Sequence, residues 1–263
     1  MKPGILVISH GSREQEWIRQ VDHAVRTAAA ELEPAGMPVV SSFLEIVEGR
    51  LIQDGIDELE RLGVTDVLVI PLFVSSGSTH VDEIGQAFGL KPVAHLEGEL
   101  DAFRVQSRID FGRPIDDDDD IAELLLSNIM ELSAAPHEEA LLLVAHGSEA
   151  PVFYDRYIYG LTSLAQRMKA LGGFARAECA LLLPDQAAAK LAQMRKQRPD
   201  EAVIVVPLFL SPGYFTKHVI PKRLEGHSYR YNGRAMLPHS AISRWISRQA
   251  AEWLHNRDGS NKG

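Results

Sequence analysis

A repeat with a constant spacing constrains this chain of 263 residues more than any other feature. The matching segments are ILVISHGSR at 5–13 with LLLVAHGSE at 141–149, and DVLVIPLFVSSG at 66–77 with AVIVVPLFLSPG at 202–213. His146 follows His10 by 136 residues, and Pro207 follows Pro71 by the same 136 residues. Two separate motifs with one displacement indicate a tandem duplication, so we expect the same fold to occur twice.

Each half alternates short β-branched runs with segments of helical periodicity. The runs predict strands at 4–9, 38–44, 66–73 and 103–110, and again at 140–145, 176–183, 202–209 and 229–236. Helices are predicted at 14–33, 50–62 and 117–132 in the first half. This alternation is typical of parallel strands joined by right-handed helical crossovers. We therefore predict an α/β protein of two tandem homologous domains, each a four-stranded parallel sheet flanked by helices.

A short polar segment with a proline, Ser133–Glu139, separates the halves. It predicts an N-terminal domain at 1–134 and a C-terminal domain at 138–257. A run of five aspartates at 116–120 lies just before the last helix of the first half. Because consecutive carboxylates point in different directions and repel one another, we interpret the run as a solvated loop without chemistry.

Composition and charge exclude several classes of function. The chain is 45% hydrophobic and 24% charged, as in globular proteins, and no apolar run approaches the roughly 20 residues that span a bilayer. A net charge of −9 argues against nucleic acid and against an anionic membrane surface. The single cysteine, Cys179, excludes an intrachain disulfide and a cysteine-based metal cluster. The first apolar run is too short for a signal peptide, so we expect a cytoplasmic protein.

Three chemically active side chains follow three predicted strands of the first half. His10 comes directly after the first strand, Glu45 ends the second, and His80 lies just past the third. Ligands of open parallel sheets bind outside the carboxyl ends of the strands, so these side chains are expected to meet. Each has a structural alternative: His10 as a helix cap, Glu45 as an exposed residue opening a helix, and His80 as a solvent-facing residue. Two histidines and a carboxylate suit Fe(II), Co(II), Ni(II) or Zn(II).

The second half serves as an internal control for this site. His146 matches His10 at the constant offset, and His218 matches His80 if two residues are inserted after Gly213. Glu45 maps onto Leu181, so the second half lacks the carboxylate and the first half is predicted to be the active one. The sequence has no HExxH, CxxC, GxxxxGK[ST] or GxSxG motif and no GxGxxG after either first strand, which leaves other enzyme classes without support.

These motifs resemble the class II tetrapyrrole chelatases, and within them the long, two-domain sirohydrochlorin cobaltochelatases and ferrochelatases of the CbiX and SirB types. The resemblance rests on the first strand ending in His-Gly-Ser, on Phe-Leu-Glu at 43–45, and on VIPLFVSSGSTH at 69–80. It implies that His10, Glu45 and His80 bind the metal and handle protons. It also implies ATP-independent insertion of Co²⁺, Fe²⁺ or Ni²⁺ into sirohydrochlorin, with the metal as substrate and no permanently bound cofactor.

A polycarboxylate substrate on an acidic protein requires local recognition. The candidates are Arg13, Arg50 and the donors of the loop Ser75, Ser76, Gly77, Ser78 and Thr79. Ordinary surface arginines are an equal alternative for Arg13 and Arg50. Two other functions stay open: a non-catalytic protein that binds and delivers a metal or tetrapyrrole, and a phosphate hydrolase that uses His-Gly-Ser as an anion loop. The duplication is compatible with a monomer.

Overall fold

The computed structural model describes residues 2–94 and 96–260, and two parallel sheets organise them. The strands are β1 (Pro3–Ser9), β2 (Val39–Phe43), β3 (Asp66–Pro71), β4 (Arg108–Phe111), β5 (Glu139–Gly147), β6 (Arg176–Leu183) and β7 (Ala202–Pro207). The α-helices are α1 (Gln15–Leu32), α2 (Ile52–Arg61), α3 (Thr79–Ala87), α4 (Asp119–Ile129), α5 (Pro151–Gly172), α6 (Ala187–Gln197), α7 (Ile220–Arg223) and α8 (Ser240–Ser260). Short 3₁₀ helices occupy Glu33–Ala35, Met130–Leu132 and Pro136–Glu138, and a π-helix spans Phe215–Val219. The predicted α/β class is confirmed.

The first sheet has four parallel strands in the order β2-β1-β3-β4. Its central strand β1 is apolar and fully buried from Ile5 to Ile8, as expected for a strand covered on both faces. The register places Ser9 opposite Phe43 on one side and Ile8 opposite Pro71 on the other. The carboxyl ends of β1, β2 and β3 therefore lie together at one edge of the sheet.

The second sheet has three strands, in the order β6-β5-β7, where four were predicted. The predicted strand at 229–236 is reduced to an isolated bridge between Ile204 and Arg230. Gly233 adopts a φ of +70°, a left-handed conformation that turns the chain away from an extended path. The predicted strand at 103–110 is also shortened, because the backbone N–H groups of Gln106 and Ser107 donate to the Glu60 carboxylate instead of to a neighbouring strand.

Packing divides the chain into two compact units that differ from the two repeats. Unit 1 comprises residues up to Phe73, His80–Pro114 and the segment from His239, and unit 2 comprises Val74–Thr79 and Ile115–Pro238. Helix α8, from the second repeat, packs against α1 in unit 1, and α4, from the first repeat, packs against α5 in unit 2. The domains predicted at 1–134 and 138–257 describe the sequence repeats, while the compact units exchange these two helices.

The side chains of the five-aspartate run make structural contacts, whereas we predicted a solvated loop. Asp118 caps α4 by accepting a hydrogen bond from the backbone N–H of Asp120. Asp117 and Asp119 both pair with Arg167 of α5, and Asp116 accepts hydrogen bonds from Ser76. The run therefore ties α4 to its neighbours within unit 2. No described helix combines the length and apolarity needed to cross a membrane.

Helix α8 is held in unit 1 by a buried ion pair. Arg257 pairs with Asp66 of β3, and both side chains are nearly inaccessible, at 13% and 12% exposure. The guanidinium also lies over the Trp253 ring, and the Trp253 indole donates to Asp110 at 2.9 Å. Removing the arginine would leave a buried carboxylate without its charged partner.

We expect Arg257→Ala to lower the free energy of unfolding by about 3 kcal/mol, because breaking a buried pair leaves an uncompensated charge. Arg104→Ala is the matched control, since its pair with Asp57 is exposed and should contribute less than about 1 kcal/mol. Urea unfolding followed by circular dichroism measures both. Equal losses in the two variants would contradict the structural role of Arg257.

Candidate functional site

The structure brings His10, Glu45 and His80 together at the carboxyl edge of the first sheet. His10 follows β1 and His80 lies in the first turn of α3, and their ring centroids are 4.9 Å apart in an edge-to-face arrangement. The Glu45 carboxylate lies 3.6 Å from Nδ1 of His10. All three residues belong to unit 1, and each comes from the end of a different strand or the loop after it.

A close backbone approach holds the β1 and β2 ends of this site together. Gly11 has a φ of +101°, and a Cβ placed there would lie 2.2 Å from the carbonyl oxygen of Glu45. The Glu45 N–H donates to the His10 carbonyl at 3.1 Å, and the Leu44 N–H donates to Ser9 at 2.8 Å. Glycine is required at position 11 for both reasons, conformation and space. Backbone hydrogen bonds therefore hold the metal-ligand candidates His10 and Glu45 next to each other.

The residue after Glu45 adopts a strained conformation that the sequence did not reveal. Ile46 has a φ of +73°, and the Val47 N–H donates to the Glu45 carbonyl at 2.8 Å across it. This pattern is that of a classic γ-turn, which is rare, and it is unfavourable for a β-branched residue. The Ile46 side chain is nevertheless 47% exposed. Such strain in an exposed apolar residue beside polar ligand candidates is characteristic of functional sites.

The hydrogen bonds of the two imidazoles orient their rings. Nδ1 of His80 lies 3.0 Å from the carboxylate of Glu83, and Nδ1 of His10 lies 3.3 Å from the carbonyl oxygen of Gly11. With the proton assigned to Nδ1 in each ring, Nε2 is the nitrogen available to a metal. A carboxylate behind a metal-binding histidine fixes its tautomer and raises its basicity. Glu83 was not singled out from the sequence, although its spacing three residues after His80 on a helix places them on one face.

The site is open and not assembled in advance as a metal cage. The side chains of His10, Glu45 and His80 are 40%, 54% and 42% exposed. Among residues 2–94 and 96–260, no three histidine, cysteine, aspartate or glutamate side chains already form a metal-binding group. The Glu45 carboxylate borders Nδ1 of His10 and not Nε2, so side-chain rotations would be needed for all three residues to share one ion. This arrangement suits an ion that binds, reacts and leaves.

The two predicted substrate-binding arginines differ in their surroundings. Arg13 is exposed just after the His10 turn. Arg50 instead forms two hydrogen bonds with Asp22, at 2.9 and 2.6 Å, and its guanidinium lies over the Phe43 ring at 4.7 Å. The hydrogen bond to Asp22 raises the pKa of Arg50 against the opposing effect of burial. Arg50 therefore braces the Glu45 loop, and its charge is largely compensated.

The residues of the predicted substrate-binding loop also differ in their surroundings. Ser75 is buried and accepts from the Gly77 N–H, and Ser76 donates to Asp116 through both its N–H and its hydroxyl. Gly77 is needed because a Cβ there would lie 2.5 Å from the Phe153 carbonyl oxygen within unit 2. Ser75, Ser76 and Gly77 thus hold the loop in shape. Ser78 and Thr79 are half-buried and keep exposed surface.

The equivalent positions in unit 2 differ from those that the constant offset predicted. A Cβ at Gly147 would lie 2.2 Å from the Leu183 carbonyl oxygen, as one at Gly11 would from Glu45, so Leu183 and not Leu181 corresponds to Glu45. The ring in edge-to-face contact with His146 is Phe215, with centroids 5.0 Å apart, and not His218. The carboxylate is absent, as predicted, but the second histidine of the pair is also replaced.

Comparisons with known proteins bear on the family of this chain. The CbiX family model matches residues 4–132 and again 140–255. A sirohydrochlorin cobaltochelatase of Methanococcoides burtonii is 25% identical over 131 residues, covering 50% of this chain and 97% of that protein. A sirohydrochlorin ferrochelatase of Priestia megaterium is 23% identical over 217 residues, covering 82% and 76% of the two chains.

Among solved structures, SirB from Bacillus subtilis with Fe³⁺ has the same fold, with a TM-score of 0.75, 19% identity and 98% coverage of both chains. The family model matches both repeats and most of the chain. The family predicted from the sequence is therefore confirmed: this chain belongs to the CbiX family.

Proposed function

We propose that this protein inserts a divalent metal, Co²⁺ or Fe²⁺, into sirohydrochlorin without ATP. The observation that supports this most directly is the contact of His10 with His80 and Glu45 at an exposed sheet edge. Relatives named as sirohydrochlorin cobaltochelatase and ferrochelatase support the tetrapyrrole as substrate. The metal ion is a second substrate and not a resident cofactor.

The ligand set suits temporary metal binding. Imidazole nitrogens and one carboxylate oxygen are borderline ligands that bind first-row divalent ions. Because the three side chains are exposed, a hydrated ion can approach, exchange some of its water for Nε2 of His10 and His80, and depart into the macrocycle. Glu83 keeps the His80 ring turned toward the ion through its 3.0 Å hydrogen bond to Nδ1.

Insertion also releases two protons from the pyrrole nitrogens. Glu45 is the best-placed acceptor because its carboxylate is 54% exposed and borders the His10 ring. A positioned general base contributes roughly 10²–10⁴ in rate. Glu45 would take one pyrrole proton as the metal leaves its carboxylate and pass it to solvent, and the second pyrrole proton would leave to solvent by the same route.

Recognition of the macrocycle combines apolar and polar contacts near this site. Ile46 presents an exposed apolar side chain next to Glu45, which suits the flat face of a tetrapyrrole. Arg13 is exposed in unit 1 and is the proposed partner for its carboxylates, while Ser78 and Thr79 remain candidates from the sequence alone. Arg50 contributes indirectly, by bracing the loop that carries Glu45 and Ile46.

We expect Glu45→Leu to reduce the initial rate of Co²⁺ insertion into sirohydrochlorin by roughly 10²–10⁴, because it removes both a ligand and the proton acceptor. The variant gives unit 1 the residue that unit 2 has at this position. Glu48→Leu is the matched control, since Glu48 is exposed in the same loop. The measurement is the anaerobic absorbance change on mixing protein, tetrapyrrole and metal.

The outcomes of this experiment separate chelation from other functions. A wild-type protein that binds sirohydrochlorin and Co²⁺ without turnover would be a delivery protein. Equal rates for Glu45→Leu and the wild type would remove Glu45 from the chemistry. A thermal melt of each variant shows whether the fold is intact.

The strained Ile46 gives a prediction with opposite effects on stability and activity. Ile46→Asn places a residue that tolerates positive φ at this turn, so the free energy of unfolding should stay the same or rise by about 1 kcal/mol. We expect kcat/KM for sirohydrochlorin to fall about tenfold, because an apolar contact is lost.

Leu62→Asn is the control for Ile46→Asn, because Leu62 is also an exposed apolar residue of unit 1. Its carbonyl accepts a hydrogen bond from Lys2, which precedes β1, so Leu62 lies at the opposite end of the strands from His10. Steady-state kinetics and urea unfolding test both variants. If Ile46→Asn loses stability and keeps its activity, the turn has only a structural role.

A further inference from the structure

The helix that carries His80 is bound along one side by a later segment of the chain. Residues 88–107 join α3 to β4, and this connection, of which all but residue 95 is described, contains no helix or strand. Connections longer than about 15 residues without secondary structure are uncommon in compact domains and often have a function. Part of the connection, residues 96–103, lies against α3 within unit 1, and we call it the strap.

The Gln86 side chain of α3 clamps the backbone of the strap with two hydrogen bonds. Its amide oxygen accepts from the Gly98 N–H at 3.0 Å, and its amide nitrogen donates to the Leu96 carbonyl at 3.0 Å. The same nitrogen also donates to the buried Asp82 carboxylate at 3.0 Å. Asp82 therefore fixes which way the amide of Gln86 faces, and that orientation matches the donor and the acceptor that the strap presents.

Glu83 shares its carboxylate between the strap and a metal-ligand candidate. One oxygen lies 3.0 Å from Nδ1 of His80, and the other accepts a hydrogen bond from the Glu99 N–H of the strap at 3.3 Å. Gly98 permits this approach, because a Cβ there would lie only 3.3 Å from the Cα of Glu83. The Glu83 side chain is 22% exposed, so little of it remains in contact with water.

A further contact secures the other end of the strap to the end of α3. The Phe103 N–H donates to the Ala87 carbonyl at 2.9 Å, and the Phe103 ring centroid lies 4.8 Å from that of Phe88. The strap is therefore held at both ends, by Gln86 and by the contacts of Phe103. A segment fixed on both sides keeps the Glu99 N–H in place between them.

We infer that the strap is a positioning element of the metal site and acts on His80 through Glu83. By occupying one carboxylate oxygen, the Glu99 N–H keeps the other oxygen directed at Nδ1 of His80. A carboxylate behind an imidazole holds the proton on Nδ1 and leaves Nε2 free for a metal ion. The inference rests on the proposed function for the role of His80 as a metal ligand. The strap residues are positioning residues, since they act through Glu83 and not on the reacting atoms.

Gln86→Ala tests the strap without altering the carboxylate or the imidazole. We expect it to weaken Co²⁺ binding about 3- to 10-fold, because it loosens the outer partner of a metal ligand without removing it. Gln53→Ala, on α2, is the matched control. Gln53 holds the same connection through two hydrogen bonds with Arg104 and also donates to an aspartate, Asp57. Equilibrium dialysis without tetrapyrrole should give Gln53→Ala a Co²⁺ affinity within about twofold of the wild type, because no metal-ligand candidate depends on it.

Glu83→Gln tests the same arrangement through the proton on His80. The Glu99 N–H needs an acceptor, so the new amide oxygen should face the strap and its NH2 group should face Nδ1. The imidazole would then accept at Nδ1 and carry its proton on Nε2, the nitrogen that the metal needs. NMR chemical shifts of the two ring nitrogens report this change in the metal-free protein. We expect Co²⁺ affinity to fall roughly 10- to 100-fold.

Two further readouts separate positioning from a purely structural role. In the Gln86→Ala protein the ring-nitrogen shifts of His80 should show a mixture of the two tautomers, whereas Gln53→Ala should keep the wild-type shifts. The double variant Glu83→Gln/Gln86→Ala should bind Co²⁺ no more weakly than Glu83→Gln, because the strap acts only through Glu83. A strap that merely stabilises unit 1 would leave the tautomer unchanged and give additive losses, which would overturn the inference.

The dialysis experiment also distinguishes this inference from the proposed function. Wild-type affinity for Co²⁺ in Gln86→Ala, or equal losses in Gln86→Ala and Gln53→Ala, overturns the inference even if the wild type inserts metal at a normal rate. If the wild type binds Co²⁺ but converts no sirohydrochlorin, the proposed function fails, while weaker binding in Gln86→Ala alone still supports the strap. A wild-type protein that binds no Co²⁺ overturns both.

Discussion

The close approach of Gly11 to the Glu45 carbonyl is the contact on which the site depends. Any side chain at position 11 would overlap that oxygen, and the left-handed φ of +101° independently requires glycine. The approach lets the Glu45 N–H reach the His10 carbonyl, so two strand-end loops become one rigid unit. Gly147 and Leu183 reproduce the same contact in unit 2. The duplicated element is therefore this backbone frame, and the side chains on it have diverged.

The divergence gives the two copies of the fold different side chains at the same edge of the sheet. In unit 1 the frame carries His10 and Glu45 beside an acidic helix, a setting that attracts divalent cations. In unit 2 the same positions carry His146 and Leu183 beside the basic, aromatic segment at 213–224. Neither change needs a new fold, because both lie at the carboxyl edge where parallel sheets present loops with little effect on the core.

Much of this could be predicted from the sequence, and the failures have physical causes. The strand-end rule placed His10, Glu45 and His80 together because buried parallel strands leave little freedom of register. The constant offset of 136 residues does not hold in the loops. The residue equivalent to Glu45 is Leu183, two residues beyond the predicted Leu181, and the residue equivalent to His80 is Phe215, three residues before the predicted His218. Strands conserve length because they must pair, whereas loops accept insertions.

Other features depend on tertiary contacts that a single sequence does not display. The exchange of α4 and α8 between the compact units follows from ion pairs such as Arg257 with Asp66, which join residues 191 positions apart. The pairing of the Arg50 guanidinium with the Asp22 carboxylate can be recognised only in the folded structure. The γ-turn at Ile46 has a positive φ, which β-branched residues rarely adopt. Local sequence preferences therefore do not predict this turn.

We propose that the first repeat alone binds the metal, and the stoichiometry of Co²⁺ binding tests this most directly. Equilibrium dialysis of the full chain without tetrapyrrole should give about one ion per chain for the wild type and for the double variant His146→Ala/His218→Ala. The double variant His10→Ala/His80→Ala should bind none at the same concentration. Two ions per wild-type chain, or loss of binding in the His146→Ala/His218→Ala variant, would contradict this account.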